Sequence, residues 1–294
     1  MSLIIIGTAA MVLVLRAIER DAVAADSKSS SSRPWSFKPL TKPKPPAVND
    51  ADWTRDDLDR FILARLEAKG LKPNHDADRP TLLRRVSFDL TGLPPTEAQL
   101  EAFATDPAGD DEALAKVVDE LLASGRFGER WARHWLDVVR YADSLGRTWN
   151  PPLTYAWRWR DWAIDALNDD MGYDKFVTAQ IAGDLLTAKN VDERRSNLTA
   201  TGFLALGSHD LQGLNEAQFE LDCVDEQIDV TTRAFLGLTI SCARCHDHKY
   251  DPVTMRDYYA LAGIFTSTRM LPGVGYRGQG HGYVDHELFV MLPV

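Results

Sequence analysis

Apolar and polar positions repeat with a helical period through most of the chain after residue 53. Apolar side chains recur three and four residues apart in one segment after another, which predicts amphipathic helices. Asp78 and Thr96 each precede such a segment and carry the side-chain oxygens typical of helix N-caps. Residues 189–197 are polar and predict a loop, and residues 283–292 alternate weakly, as a short strand would. The expected fold class is mainly α: a multi-helical, bundle-like domain over residues 53–270, with a candidate short C-terminal strand.

The segment at residues 127–145 predicts a helix with two distinct faces. Its apolar stripe consists of Trp131, Trp135, Val138 and Ala142. About 100° around the helix axis, a polar stripe consists of Arg130, His134, Asp137 and Tyr141. Partial burial of the polar stripe would let it hydrogen-bond a ligand, a metal or a haem propionate. The alternative is a solvated face whose pairings are worth only about 0.2–0.5 kcal/mol each.

A long helix is predicted from about residue 215 onward. Its apolar positions, spaced three and four residues apart, continue into Cys242 and Cys245. If the helix persists that far, both thiols lie on its apolar face against the bundle interior. Cys223, earlier in the same helix, is expected to be a core thiol. A solvated acidic face is expected on the outer side, formed by Glu220, Asp222, Asp225, Glu226 and Asp229.

The two ends of the chain differ in composition from its body. A run of 13 apolar residues begins at Leu3, and the small-x-small pattern AVA follows at residues 22–24. This predicts a signal peptide over residues 1–24 and export to the periplasm or cell envelope, with an uncleaved membrane anchor as the alternative. Residues 25–52 are rich in Ser, Lys and Pro and predict an extended linker. Residues 271–294 form a Gly-rich tail, which is a candidate for the truncated start of a further domain.

Composition and charge narrow the class of protein. Of the 294 residues, 45% are hydrophobic and 26% charged, as in ordinary soluble globular proteins. The net charge of -10 argues against binding to a phosphate backbone, so nucleic acid is excluded as a partner. A membrane is expected to be a partner only through an uncleaved N-terminal segment. Three cysteines do not make a disulfide framework. No Ser-His-Asp triad motif, paired-carboxylate signature or phosphate-binding loop supports a hydrolase or a kinase.

Candidate chemistry is concentrated at residues 241–252, which contain Cys242, Cys245 and His246. Cys-x-x-Cys-His is the spacing that attaches a c-type haem. Each thiol can bond one vinyl group of the porphyrin, and the adjacent imidazole can then ligate the iron. Because export also suits this chemistry, the leading hypothesis is a haem c protein that exchanges electrons with a redox protein partner.

Other interpretations of the same segment stay open. One is a zinc site whose ligands would be Cys242, Cys245, His246 and His248. A closed site would be structural, whereas a three-ligand site would leave a position for water and hydrolysis, with Asp137, Asp247 or Asp251 as the base. The two thiols alone could form a redox or structural pair. The chain could also be a cell-surface binding or scaffold module that uses the polar stripe.

A haem iron ligated by His246 leaves its opposite side for a second axial ligand. Met270 is the best-placed methionine after the motif, and His134 could supply a second imidazole. With neither, the iron would be five-coordinate, as in bundle-type cytochromes. The groups expected to orient the ligands or hold the loop are Arg130, Asp137, Tyr141, Asp247 and Asp251.

Six collinear stretches resemble the planctomycete cytochrome C family of exported proteins. They are LDRFILARL at residues 58–66, FDLTGLPPT at 88–96, ERWARHW at 129–135, RWRDW at 158–162, AGDLL at 182–186 and RAFLGL at 233–238, the last continuing through the motif to Pro252. The resemblance covers about residues 35–268 and implies a cytochrome c-like domain through the same Cys-x-x-Cys-His motif. Members often carry a cytochrome-like region before this one and another domain after it. The resemblance therefore implies a fragment or a reduced member of the family.

Overall fold

A computed structural model describes residues 35–144, 152–153, 155–208, 216–268, 274–277 and 281–284. Within these ranges the chain forms ten α-helices and two short strands, so the prediction of a mainly α fold is confirmed. None of the helices in the described ranges combines the length and the apolarity that a membrane span requires. The predicted signal peptide at residues 1–24 lies outside the described residues.

The helices and strands are numbered in chain order. The helices are α1 Asp57–Glu67, α2 Arg79–Thr91, α3 Glu97–Thr105, α4 Asp110–Leu122, α5 Gly125–Val138, α6 Ala156–Asn168, α7 Tyr173–Ala182, α8 Val191–Ala200, α9 Glu216–Leu236 and α10 Met255–Thr266. The strands β1 Val274–Arg277 and β2 His281–Val284 pair antiparallel. A strand was predicted at residues 283–292, and β2 includes the first two of these, residues 283 and 284. The rest of the predicted strand lies outside the described residues.

The chain divides into two compact units, residues 1–77 and 78–294. In the first, Glu67 at the end of α1 accepts hydrogen bonds from the backbone and side-chain N–H groups of Asn49. These bonds tie the last residues of the predicted linker to α1. The second unit contains α2–α10 and the Cys-x-x-Cys-His segment, so the candidate site belongs to this unit alone.

The helix starts carry the side-chain caps that the sequence predicts. Asp78 accepts a hydrogen bond from the backbone N–H of Thr81 at 2.9 Å at the start of α2. Thr96 and Gln99 form a reciprocal capping box at the start of α3. At the end of α2, Gly92 has a φ of 72°, a left-handed conformation that glycine adopts without a Cβ clash. Local side-chain chemistry therefore sets these boundaries.

The helix predicted over residues 127–145 is shorter than expected. α5 ends at Val138, and Arg140 has a φ of 57°. A non-glycine residue adopts that conformation at a cost of about 1 kcal/mol. The Arg140 guanidinium lies 2.7 Å from the Glu226 carboxylate and 3.4 Å from that of Asp229, both on α9. Ion pairs with a distant helix therefore offset the strain, and a local pattern does not reveal them.

The buried face of α5 also differs from the predicted apolar stripe. Trp131 is 43% exposed and Val138 38%, whereas Gly128 and Ala132 are buried. A Cβ placed at Gly128 would lie 2.4 Å from the carbonyl oxygen of Ile164 in α6. The two helices therefore meet through the smallest side chains of α5. A hydrophobicity pattern gives such residues little weight, which is why the prediction was wrong for Trp131 and Val138, whereas Trp135 packs against the core.

The loop predicted at residues 189–197 is also wrong, because most of it belongs to α8. The indole N–H of Trp162 donates to the hydroxyl of Ser196 at 3.1 Å. The indole N–H of Trp159 donates to the carbonyl of Ala200, also at 3.1 Å. α8 lacks an apolar period of its own, and these contacts with α6 help to stabilise it.

Buried side chains gather in three apolar clusters. One, within α2–α4, contains Leu83, Phe103 and Ala113. The largest includes Trp159 and Trp162 of α6. The third, here called the motif core, consists of Val224, Ile228, Ile240, Ala243, Val253, Tyr258, Ala262 and Phe265. It lies between α9, α10 and the connection that carries the Cys-x-x-Cys-His segment.

Candidate functional site

The Cys-x-x-Cys-His segment lies in the connection between α9 and α10. α9 ends at Leu236, Gly237 has a φ of 65°, and a 3₁₀ turn follows at Ile240–Arg244. The prediction that α9 would carry both thiols on its apolar face is therefore wrong. Cys242 and Cys245 are exposed, and neither is in a disulfide. Gly237 can leave the helical conformation without a Cβ penalty, which ends the helix before the motif.

Cys223 contrasts with the two motif thiols. It lies within α9 and is only 7% exposed, which confirms the expected core thiol. Burial raises the pKa of the Cys223 thiol to about 12, and the neighbouring carboxylates of α9 add to the shift. A thiol with so little thiolate at neutral pH is a poor nucleophile.

Buried residues of the connection hold it against the motif core. Ile240 is 5% exposed, Val253 9% and Ala243 0%. Ala243 separates Cys242 from Arg244 and is the only fully buried position of the motif itself among its described residues. The centre of the turn is therefore fixed in the core while the two cysteines face solvent.

Arg244, inside the motif, joins the turn to α9. Its guanidinium lies 2.9 Å from the Asp222 carboxylate and 3.6 Å from that of Asp225. The Tyr258 hydroxyl of α10 donates to Asp225 at 2.8 Å. Burial raises the pKa of Tyr258, and the hydrogen bond to Asp225 raises it further. One carboxylate thus connects α9, the motif and α10.

Four of the five acidic residues predicted to form a solvated face on α9 therefore form ion pairs instead, and Glu220 is exposed as expected. Two of them pair with Arg244. Further along the helix, Asp229 is only 7% exposed and contacts Arg233 at 2.7 Å. Glu226 and Asp229 also pair with Arg140, as noted above. The sequence pattern indicates a solvent-exposed face because the basic partners of these carboxylates lie in distant segments. In the structure the carboxylates pair with those partners and join the helices.

His246 is exposed, and its Nδ1 lies 2.8 Å from the backbone carbonyl oxygen of Asp247. Because a carbonyl oxygen only accepts, Nδ1 carries the proton and donates it. The lone pair of Nε2 then remains available to bind a metal. The Asp247 carboxylate accepts the backbone N–H of Met255 at 2.9 Å, in the first turn of α10. The residue that orients the imidazole is therefore itself anchored to a helix.

His248 has a different environment, since its side chain is only 7% exposed. Its Nδ1 accepts the backbone N–H groups of Asp251 at 2.9 Å and Tyr250 at 3.3 Å. The ring proton therefore lies on Nε2, which donates to the Thr239 hydroxyl at 3.1 Å. Both ring nitrogens are used inside the connection, and His248 links its beginning to its end.

The remaining predicted site residues have local partners. His134 packs against Trp131, Asp137 pairs with Arg133, Tyr141 donates to Asp143, and the alkyl chain of Arg130 lies beside Gly92. Burial raises the pKa of Tyr141, and its hydrogen bond to the Asp143 carboxylate raises it further. In the part of the chain that the structure describes, no hydrogen bond, ion pair or ring contact joins these residues to the motif. Met270, the predicted axial methionine, lies outside the described residues.

The donor set of the connection suits a covalently attached haem. Two exposed thiols lie on either side of a buried residue, and His246 offers a free Nε2. A four-ligand zinc site would also need His248, both of whose ring nitrogens already have hydrogen-bond partners. Across the described ranges, no group of three or more His, Cys, Asp or Glu side chains is placed to hold a metal ion. The arrangement favours haem attachment over the closed zinc site.

Comparison with known proteins places the chain in a family. Residues 57–270 match the family model described as PSCyt2, a protein of unknown function (DUF1549). The chain belongs to this family. The PSCyt2 domain is a planctomycete cytochrome c-associated domain of unknown function. The resemblance noted in the sequence is thus confirmed at the level of the family, and the family description assigns no activity. Neither the curated proteins nor the solved structures contain a significant match.

The structure adds three residues to the site that the sequence did not single out. Thr239 contacts His248, Arg244 pairs with α9, and the Tyr259 hydroxyl of α10 donates to the Arg244 carbonyl at 3.1 Å. The pairing of Arg244 could have been predicted from the sequence, since this arginine follows a helix rich in acidic residues. Thr239 and Tyr259 had none, because their contacts arise only when the connection folds back on α10.

Proposed function

We propose that this PSCyt2 protein is an exported c-type cytochrome-like protein of the periplasm or cell envelope. In this proposal it binds haem covalently at Cys242 and Cys245 and exchanges electrons with a redox protein partner. The observation that carries the proposal is the contact of the His246 ring with the backbone of Asp247. The ring Nδ1 donates to the Asp247 carbonyl at 2.8 Å, which leaves Nε2 free for the iron.

The attachment chemistry follows from the accessibility of the thiols. Each cysteine would add across one vinyl group, the sulfur bonding to one vinyl carbon and the thiol hydrogen going to the other. No oxidant or reductant is consumed in this addition. Both Cys242 and Cys245 are exposed and outside any disulfide, as the addition requires. Cys223 is buried and cannot compete for the same vinyl groups.

The protein's own residues would set the position and chemistry of the iron ligand. The hydrogen bond from His246 Nδ1 to a backbone carbonyl fixes the orientation of the ring. The Asp247 carboxylate holds that carbonyl relative to α10. Haem iron bound in this way supplies reversible one-electron transfer. A second axial ligand from His134 or Met270 stays a prediction.

The experiment that tests this proposal is expression of the full chain together with a haem-attachment system. The pyridine haemochrome spectrum then reports the haem content and the number of thioether bonds. We expect one haem per chain, retained after acid–acetone extraction because it is covalent. Replacing Cys242 and Cys245 together by Ser should abolish the retained haem.

Cys223→Ser is the matched control, since it removes a thiol of the same chain outside the motif. It should leave haem content unchanged. An exported, colourless protein that contains stoichiometric zinc would overturn the proposal. In that case the zinc hypothesis would take its place, with His248 released from its hydrogen bonds to become a ligand.

A further inference from the structure

The solvent-facing side of α10 carries large apolar groups beside the motif. Tyr259 is 55% exposed and Met255 42%, one helical turn apart on the same face. One further turn along, a Cβ placed at Gly263 would meet no atom within 4 Å, so this face stays open. The opposite side of α10 is already buried in the motif core through Tyr258, at 3% exposure, and Phe265, at 9%. The apolar contacts that hold α10 in the fold therefore come from the opposite side of the helix.

Two hydrogen bonds connect this face to the ends of the Cys245–His246 step. The Tyr259 hydroxyl donates to the carbonyl of Arg244, the residue immediately before Cys245. The backbone N–H of Met255 donates to the carboxylate of Asp247, the residue immediately after His246. Arg244 and Asp247, which flank Cys245 and His246 in the chain, therefore both contact this face of α10. A group bonded to Cys245 and ligated by His246 would be attached beside it.

Resting on the proposed function, we infer that Met255 and Tyr259 form the surface against which the porphyrin packs. A covalent tether through two short side chains keeps the porphyrin within reach of the motif's own neighbours. The large exposed groups there are an aromatic ring and a thioether, both of which pack well against a flat π system. Neither residue is proposed as an axial ligand.

Tyr250 provides a contrast within the same connection. It is 76% exposed, but the Lys249 ammonium lies 5.0 Å from its ring centroid. One face of that ring therefore already has a cation partner. Among the ring contacts in the described part of the chain, Tyr259 has a single one, a T-shaped contact with Tyr258 at 5.1 Å between centroids.

The first test is tyrosine nitration with tetranitromethane, read by peptide mass spectrometry. The haem-loaded chain is compared with the haem-free variant in which Cys242 and Cys245 are both replaced by Ser. Nitration of Tyr259 should be several-fold slower in the haem-loaded chain. Tyr173, which is 63% exposed at the start of α7, is the matched control and should react equally in both. Equal nitration of Tyr259 in the two proteins would overturn the inference.

The second test is the reduction potential of the haem in variants of the same face. Replacing Tyr259 by Ser, or Met255 by Ser, should admit water to the porphyrin and lower the potential. Tyr259→Phe and Met255→Leu keep the apolar contact, so their potentials should match that of the parent. A chain that carries haem but shows the parent potential in both Ser variants would contradict the inference while leaving the proposed function intact. A chain with no haem would contradict both.

Discussion

Replacing His248 by Ala should destabilise the second unit by about 2–4 kcal/mol. The variant loses the hydrogen bond from Nε2 to Thr239, worth about 1 kcal/mol. It also leaves the backbone N–H of Asp251, now bonded to Nδ1 at 2.9 Å, without its acceptor in a part-buried loop. An unsatisfied group of that kind costs about 1–3 kcal/mol. Alanine has no polar side-chain atom that could replace these bonds, and the site is screened from solvent, since the His248 side chain is only 7% exposed.

Two conservative variants separate the contributions of the two ring nitrogens. In His248→Asn, the amide oxygen can accept the Asp251 N–H, so about 1 kcal/mol should be lost, corresponding to the Thr239 bond. In His248→Gln, the amide nitrogen reaches further and can donate to Thr239 while the Asp251 N–H loses its acceptor. Asn should therefore be the milder of the two substitutions.

The assay is equilibrium urea unfolding of the haem-free chain, with the midpoint and the slope compared across the series. His134→Ala is the matched control, because His134 is exposed, and it should change stability by less than about 0.5 kcal/mol. A His248→Ala variant as stable as the parent, or an Asn variant no more stable than the Ala variant, would contradict the two hydrogen bonds assigned to His248. A loss of bound metal with unchanged stability of the metal-free chain would instead identify His248 as a ligand.

Three further predictions follow from single sites. Iodoacetamide at pH 8 should alkylate Cys242 and Cys245 in the haem-free chain and leave Cys223 unmodified, because a pKa of about 12 leaves roughly one Cys223 thiol in 10⁴ ionised. Labelling of all three cysteines at similar rates would contradict the burial of Cys223. Gly128→Ala should destabilise the chain by about 1–3 kcal/mol in thermal unfolding, since the new Cβ would lie 2.4 Å from a carbonyl oxygen of α6. An unchanged melting temperature would show that α5 and α6 can move apart to accept the methyl group. Hydrogen bonds from the side chain and then the backbone of Thr81 lower the pKa of Asp78, so the stability it contributes is present above the ordinary carboxyl pKa and is lost as pH falls through the lowered one. Asp78→Asn should weaken this acid dependence of the unfolding midpoint, and an unchanged acid dependence would refute the cap.

The helical boundaries were predictable where one side chain and its own backbone decide them. Asp78 and Thr96 cap helices in the structure as they do in the sequence pattern. The misplaced elements have a different cause. α8 forms where the pattern predicts a loop, because Trp159 and Trp162 of α6 supply its hydrogen bonds. The hydrophobic period of a segment gives no information about side chains of other segments that stabilise it.

The candidate site divides in the same way. The sequence identifies Cys242, Cys245 and His246 as the residues with haem-attachment spacing, since that spacing is local. It does not reveal that His246 and His248, two positions apart in one loop, have different surroundings. Their environments differ because the loop folds back on Thr239 and α10, which buries one ring and leaves the other exposed.

What the sequence by itself determined about this protein is its helical character, its family and the residue types at the motif. These depend on periodicity, capping and spacing, all of which act over a few residues. Only the tertiary structure decided that the thiols leave the helix and face solvent, and that the acidic side chains of α9 hold the motif in place. Gly237 permits the break in the helix. The direction of the chain after it is set by the burial of Ile240 and Ala243 and by the ion pair between Arg244 and Asp222 of α9. Such contacts join residues far apart in the chain, so they exist only once the fold has brought them together.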